Sequence, residues 1–255
     1  MSPTGETYNR NVLLTAPCSK KSKRYTTNWR IVFDASSHEK GSPSLNEVLE
    51  IGPNLLPDVL SVLLRFRLGR YALLSDVSQA FLQFLFDPAD RDLTWFFWYR
   101  LATDDNGSKP FTEDLVLYRF VSLPFGLTCS PFLLSATIRE LSAGHSEDFP
   151  AVAPLTDRNM YMDDFSASEN EETKLTTIYG QLTATMNTIH LPMSKWATNS
   201  STLQIEWQAE GLSTQTETQF LGVDWYTESD TFSLSSSAAL KVLPDRPATK
   251  RHILR

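Results

Sequence analysis

The sequence predicts an α+β fold, an antiparallel sheet with helices packed on one face. Three observations carry this. Strand-like apolar runs and segments with helical apolar spacing are mixed without the regularity of βαβ units. Two of the strand-like runs, "TWFFWYR" and "VLYRFVSLPFG", are joined by "DDNGSKPFTED", whose Asn106-Gly107 pair is a strong hairpin-turn signal. With 255 residues, 41% of them apolar, the chain can fill one large core or those of two small lobes.

The elements follow in order. Residues 1–28 are polar and basic and read as an irregular arm. "WRIVFDAS" is a β-rich run, stopped by the turn-forming "SSHEKGSPS". Residues 45–68 carry helical spacing broken at Gly52-Pro53, and 57–68 should be an amphipathic helix with Pro57 near its first turn. "YALL" opens as a short apolar strand that emerges at the polar step Ser75-Asp76. The aromatic run of residues 95–99 invites a base-stacking role, but it reads better as a strand buried on both faces. Residues 130–143 begin at a Ser-Pro helix start, 174–190 read as another helix, and 218–226 as one late strand.

Composition narrows the function classes. Cys18 and Cys129 are too few for a disulfide framework and lack zinc-ligand spacing, so reducing, intracellular conditions are expected. No secretion signal or membrane span is visible, and no membrane partner is expected. Net charge is −7, unevenly spread. Arg10, Lys20, Lys21, Lys23, Arg24 and Arg30 against Glu6 make residues 1–30 +5; Lys241, Arg246, Lys250, Arg251 and Arg255 against Asp245 make 241–255 +4. The body between them is −16. Basic ends around an acidic body suit a protein that grips phosphate at one place and divalent metal at another; an ordinary solvated surface gives the same totals.

The chemistry concentrates in "YMDDF", residues 161–165. Neighbouring strand residues point to opposite faces, so Asp163 and Asp164 can serve one site only where a turn breaks that alternation. A hairpin tip would do this. Asp76, at the point where an apolar strand emerges, is the third carboxylate, since an aspartate there needs a ligand or a donor. Carboxylates from neighbouring strands could hold two Mg²⁺ ions about 3.5–4 Å apart. "DDNG" at residues 104–107 opens like a calcium loop but lacks the closing Glu.

Taken in order, "LLSDVSQAFLQ", "LPFGLTCSPFLL", "YMDDF", "LPMSKW" and "QFLGVDW" resemble the motif series of a reverse transcriptase. "WRIVFDAS", "GPNLLPDVLSVLLRFR" and "FGLTCSPFLL" resemble in particular the BEL/Pao class of long-terminal-repeat retrotransposons, over about residues 29–225. The resemblance implies a right-hand polymerase. Residues 29–75 and 84–129 would be fingers, 76–83 and 130–228 palm, and 229–255 the start of a truncated thumb or connection. It implies RNA-directed DNA synthesis on a primed RNA or DNA template, with deoxynucleoside triphosphates as substrates and two Mg²⁺ ions, or Mn²⁺, as cofactor. The metal-binding trio falls on Asp76, Asp163 and Asp164. Phe81 takes the place of the steric gate against a ribose 2′-hydroxyl, and Lys23 and Arg30 that of the cations on the incoming triphosphate. Phe125 and Gly126 match the loop packing base and sugar, with Phe125 where the retroviral form has Gln. Lys195 matches the lysine proposed to protonate pyrophosphate, and Phe220, Leu221 and Gly222 the primer grip. An RNA-dependent RNA polymerase would carry a second aspartate about five residues past the first, and residues 77–82 contain none. The resemblance places the protein in the cytoplasm, in a virus-like particle, beside the missing thumb, connection and RNase H parts of a polyprotein. The alternative is a truncated, inactive, transposon-derived lobe that only binds nucleic acid.

Overall fold

The computed structural model describes residues 17–19, 29–31, 33–101 and 111–234. Its elements, in chain order, are β1 (Pro17–Ser19), β2 (Trp29–Ile31), α1 (Leu45–Val48), α2 (Val59–Phe66), β3 (Tyr71–Val77), α3 (Ala80–Gln83), β4 (Trp95–Leu101) and β5 (Phe111–Arg119). There follow α4 (Ser130–Gly144), α5 (Ala153–Asn159), β6 (Met160–Tyr161), β7 (Asp164–Glu169), α6 (Glu172–Thr188), β8 (Met193–Thr198), α7 (Ser201–Ala209), β9 (Glu217–Phe220), β10 (Val223–Tyr226) and β11 (Thr231–Ser233). Every strand pair is antiparallel. The chain forms two compact units, Met1–Leu55 with Gln79–Thr137, and Leu56–Ser78 with Ile138–Arg255.

In the first unit β1 pairs with β2, and β4 with β5, each pair making a two-stranded sheet. Ser44 and Glu47 start α1 with a capping box, each side chain bonding the other residue's backbone N–H. Phe33 is buried and meets Phe96 and Phe120 edge-on at 6.3 and 5.2 Å. The aromatic run corrects the expectation of a strand buried on both faces. No residue from 95 to 99 is fully buried, and Tyr99 is half exposed. A strand with a single partner is a ribbon, and a ribbon buries its aromatics only as far as their cross-strand neighbours reach. Asn106-Gly107 lies outside the described residues.

The second unit is built on a four-stranded sheet of order β6-β7-β3-β8. Asp58 caps α2 by accepting from the Ser61 N–H at 2.8 Å, so the helix starts just after Pro57. α2 lays Val62 and Phe66 on Ala72 and Leu74 of β3, with Ala197, Phe220 and Trp225 completing that cluster. The next residues of β3 are buried too, Leu73 fully and Val77 at 1% exposure. Both faces of β3 are therefore covered. Residues 218–226 are two strands, not one. They fold as a hairpin through Leu221 and Gly222, at φ 47° and 88°. Both turn positions are left-handed, a conformation glycine adopts freely and leucine does not. β11 is fixed beside this hairpin by Asp230, which accepts from the Trp225 indole at 3.0 Å and pairs with Arg67 at 2.5 Å.

Candidate active site

β3 and β7 run in continuous register from Tyr71↔Glu169 to Asp76↔Asp164. Residues directly opposite in an antiparallel pair share a face, so Asp76 and Asp164 point the same way. β6 and β7 form a hairpin closed at Tyr161↔Asp164, leaving Met162 and Asp163 as a two-residue turn. Met162 stands at φ 55° while Asp163 is not left-handed, the arrangement of a II′ turn. The Val77 N–H donates to the Asp163 carbonyl at 2.8 Å, fixing the turn against the end of β3. At the hairpin's base, Met160 and Phe165 are paired and buried. Asn159 and Ser166 exchange side-chain-to-backbone bonds of 2.9 and 3.3 Å there.

Asp76 lies inside β3, one residue before its end, and its side chain is only 13% exposed. The opposite neighbour, β8, is irregular. Leu74 pairs with Ala197 and Asp76 with Ser194, so Lys195 and Trp196 face the single residue Ser75. This is a β-bulge, and Lys195 sits in it at φ 54°. In a regular strand Ser194 and Lys195 would point to opposite faces; the bulge sends both to Asp76. Ser194 Oγ donates to Asp76 Oδ1 at 2.5 Å, and Lys195 Nζ forms an ion pair with Asp76 Oδ2. Sequence neighbours suggest aspartates without a cation; the fold supplies one from 119 residues away.

Asp164 experiences the remaining negative charge. Burial, then the Asp163 and Asp76 carboxylates, push its carboxyl up to about 7, with Lys195 working against the rise. The donor chemistry, three carboxylates and a hydroxyl, suits a hard oxygen-seeking cation such as Mg²⁺. Among the described residues no group of three or more His, Cys, Asp and Glu is spaced as a ready cation cage. Both Asp76 oxygens are engaged by β8.

The other sequence candidates divide between the units. Phe81 belongs to α3 and is buried, its ring 4.6 Å from that of Phe125, which is half exposed. Gly126 stands at φ 105°, where an added Cβ would meet the Phe33 carbonyl oxygen at 2.3 Å. The Asn46 amide holds that loop, donating to the Gly126 carbonyl at 2.9 Å and accepting from the Thr128 N–H at 2.9 Å. Phe220 is buried in the core of the second unit, and Leu221 packs against the same cluster. Arg30 lies on β2, and Lys23 falls outside the described residues. Ser194 was not visible as a candidate in the sequence: nothing local marks it, because its role depends on a bulge opposite β3.

No protein-family description and no curated protein matches the chain in sequence. Solved structures do match in fold. A foamy viral protease–reverse transcriptase in complex with double-stranded DNA superposes with a TM-score of 0.58 at 18% identity, covering 94% of this chain and 40% of that one. A foamy viral protease–reverse transcriptase in complex with RNA/DNA hybrid gives 0.57 at 18% identity, over 92% and 25%. The chain has a mixed helical and antiparallel-sheet fold similar to that of retroviral reverse transcriptase. It spans between a quarter and two fifths of the length of these structures. Among the described residues no helix is long and apolar enough to cross a membrane.

Proposed function

We propose that this chain is the polymerase part of a retrotransposon reverse transcriptase of the BEL/Pao class, extending a primer with deoxynucleotides. The observation that carries the reading is Asp76 standing opposite Asp164, with Asp163 in the adjoining turn, on a reverse transcriptase-like fold. In this reading the palm, 76–83 and 130–228, falls mostly in the second unit, and the fingers, 29–75 and 84–129, mostly in the first. Divalent ions held by Asp76, Asp163 and Asp164 would activate the primer 3′-hydroxyl and neutralise the leaving pyrophosphate. Lys195, paired with Asp76 here, would be the acid that protonates the leaving pyrophosphate. Arg30 and Lys23 serve the triphosphate, and Arg is the better suited to a fixed bidentate contact. Phe81, Phe125 and Gly126 pack the nucleotide, and the turn at Phe220, Leu221 and Gly222 holds the primer end. A polyprotein would supply the thumb, connection and RNase H, in a cytoplasmic virus-like particle.

The second reading, a lobe that binds nucleic acid without polymerising, draws on the engaged oxygens of Asp76. One experiment separates them. The chain is given a DNA primer on an RNA template, with deoxynucleoside triphosphates and Mg²⁺ or Mn²⁺. Extension supports the polymerase; binding of the duplex without extension under either ion leaves the binding lobe.

A further inference from the structure

We infer that Lys195 is the resident counter-cation of Asp76 and competes with the divalent ion for it, so that ion loading and Lys195 release are one exchange. The inference rests on the reading of Asp76, Asp163 and Asp164 as a cation site. Three features of the chain carry it. A non-glycine residue at φ 54° persists only where its surroundings hold it, and what Lys195 gains there is the bond to Asp76. The partners are unequal in freedom: the Lys195 side chain is 55% exposed, that of Asp76 13%. Asp76 is held largely out of water and keeps polar partners, whereas Lys195 can swing its flexible stem outward. Finally, Lys195 is paired with Asp76 and acts on Asp164 against the Asp163 and Asp76 carboxylates, whose combined push on Asp164 it does not cancel. A doubly charged ion compensates that cluster better than the lysine does.

Ser194 adds a distinction. Its hydroxyl holds Asp76 Oδ1 while Lys195 holds Oδ2, so release of the lysine frees one oxygen and leaves the carboxylate oriented by the other. Ser194 is thereby a positioning residue, and Lys195 the exchangeable one.

The test is Mn²⁺ binding followed by electron paramagnetic resonance on the full chain, wild type against Lys195→Met. Met keeps the apolar stem and removes the charge. The variant should bind Mn²⁺ about three- to tenfold more tightly, as expected for removing a partly exposed competitor. Equal or weaker binding overturns the proposal. A second measurement needs no variant that might misfold. The Lys195 ammonium, followed by NMR in the wild-type chain during a Mg²⁺ titration, should move to the shift of a solvated lysine with the midpoint of ion binding. An unmoved Lys195 signal at saturating Mg²⁺ overturns the exchange even if the site binds the ion. If instead neither wild type, Lys195→Met nor Asp163→Asn binds Mn²⁺ specifically, the cation-site reading itself is the one that fails.

Discussion

Asp76 is held by two partners, and that sets the sign of its removal. An aspartate facing only other carboxylates would be relieved by neutralisation. Here Asp76→Asn removes the ion pair with Lys195, which then returns to water, so the metal-free protein should lose up to about 1 kcal/mol, discounted because the lysine is half exposed. Urea unfolding in a chelator measures it, and a clear gain in stability would show that repulsion dominates. Asp164 behaves oppositely. Its carboxyl titrates near 7 in the folded chain and near 3.8 when unfolded, so between these values the native state binds more protons. Stability in chelator should therefore fall as pH rises from about 4 to about 7 and then level off. Asp164→Asn should flatten that slope, and an unchanged slope would assign it to other groups. Phe81 is packed rather than free, so Phe81→Ala should cost about 3–5 kcal/mol in unfolding experiments. A cost below 1 kcal/mol would mean the ring is held loosely enough to act on the nucleotide alone.

Two elements at the site share one device: each breaks strand alternation so that neighbouring residues serve one place. The β6–β7 turn does this for Asp163 and Asp164, and the β8 bulge does it for Ser194 and Lys195. The turn was legible in the sequence, since two adjacent carboxylates with buried flanks make sense at a hairpin tip. The bulge was not. It is defined only by register against β3, and no local composition marks it. The aromatic ribbon of β4 failed for a related reason: hydrophobicity shows that a strand seeks cover, not whether a second layer exists to give it. β9 and β10 read as one strand in the sequence because Leu221, before Gly222, is not the Asn or Asp that usually opens such a turn. Met162, at φ 55°, carries strain that glycine would not. Met162→Gly should leave stability unchanged or raise it by up to about 1 kcal/mol, read from thermal unfolding. A loss larger than that would mean the Met162 side chain contributes more by packing than its backbone costs.

At the scale of the molecule, the antiparallel architecture, the helices at 59–66, 130–144 and 172–188, and Asp76 standing opposite Asp164 beside the Asp163 turn follow from hydrophobic spacing and motif order. The cation paired with Asp76 does not, because it comes from a strand paired only in the folded chain. The charge distribution adds one whole-molecule expectation. If Lys20, Lys21, Lys23 and Arg24 grip phosphate, neutralising all four should reduce the salt slope of nucleic-acid binding by up to about 4, roughly 0.9 per contact on a duplex. An unchanged slope would leave the cluster as solvated surface. Polymerisation at Asp76, Asp163 and Asp164 is read from the rate of single-deoxynucleotide addition to a primed RNA template in Mg²⁺, wild type against Asp163→Asn. Measurable addition by the wild-type chain is expected, with a loss of about a thousandfold or more in the variant, equivalent to roughly 4 kcal/mol of transition-state stabilisation. Addition at the same rate by both proteins would contradict it.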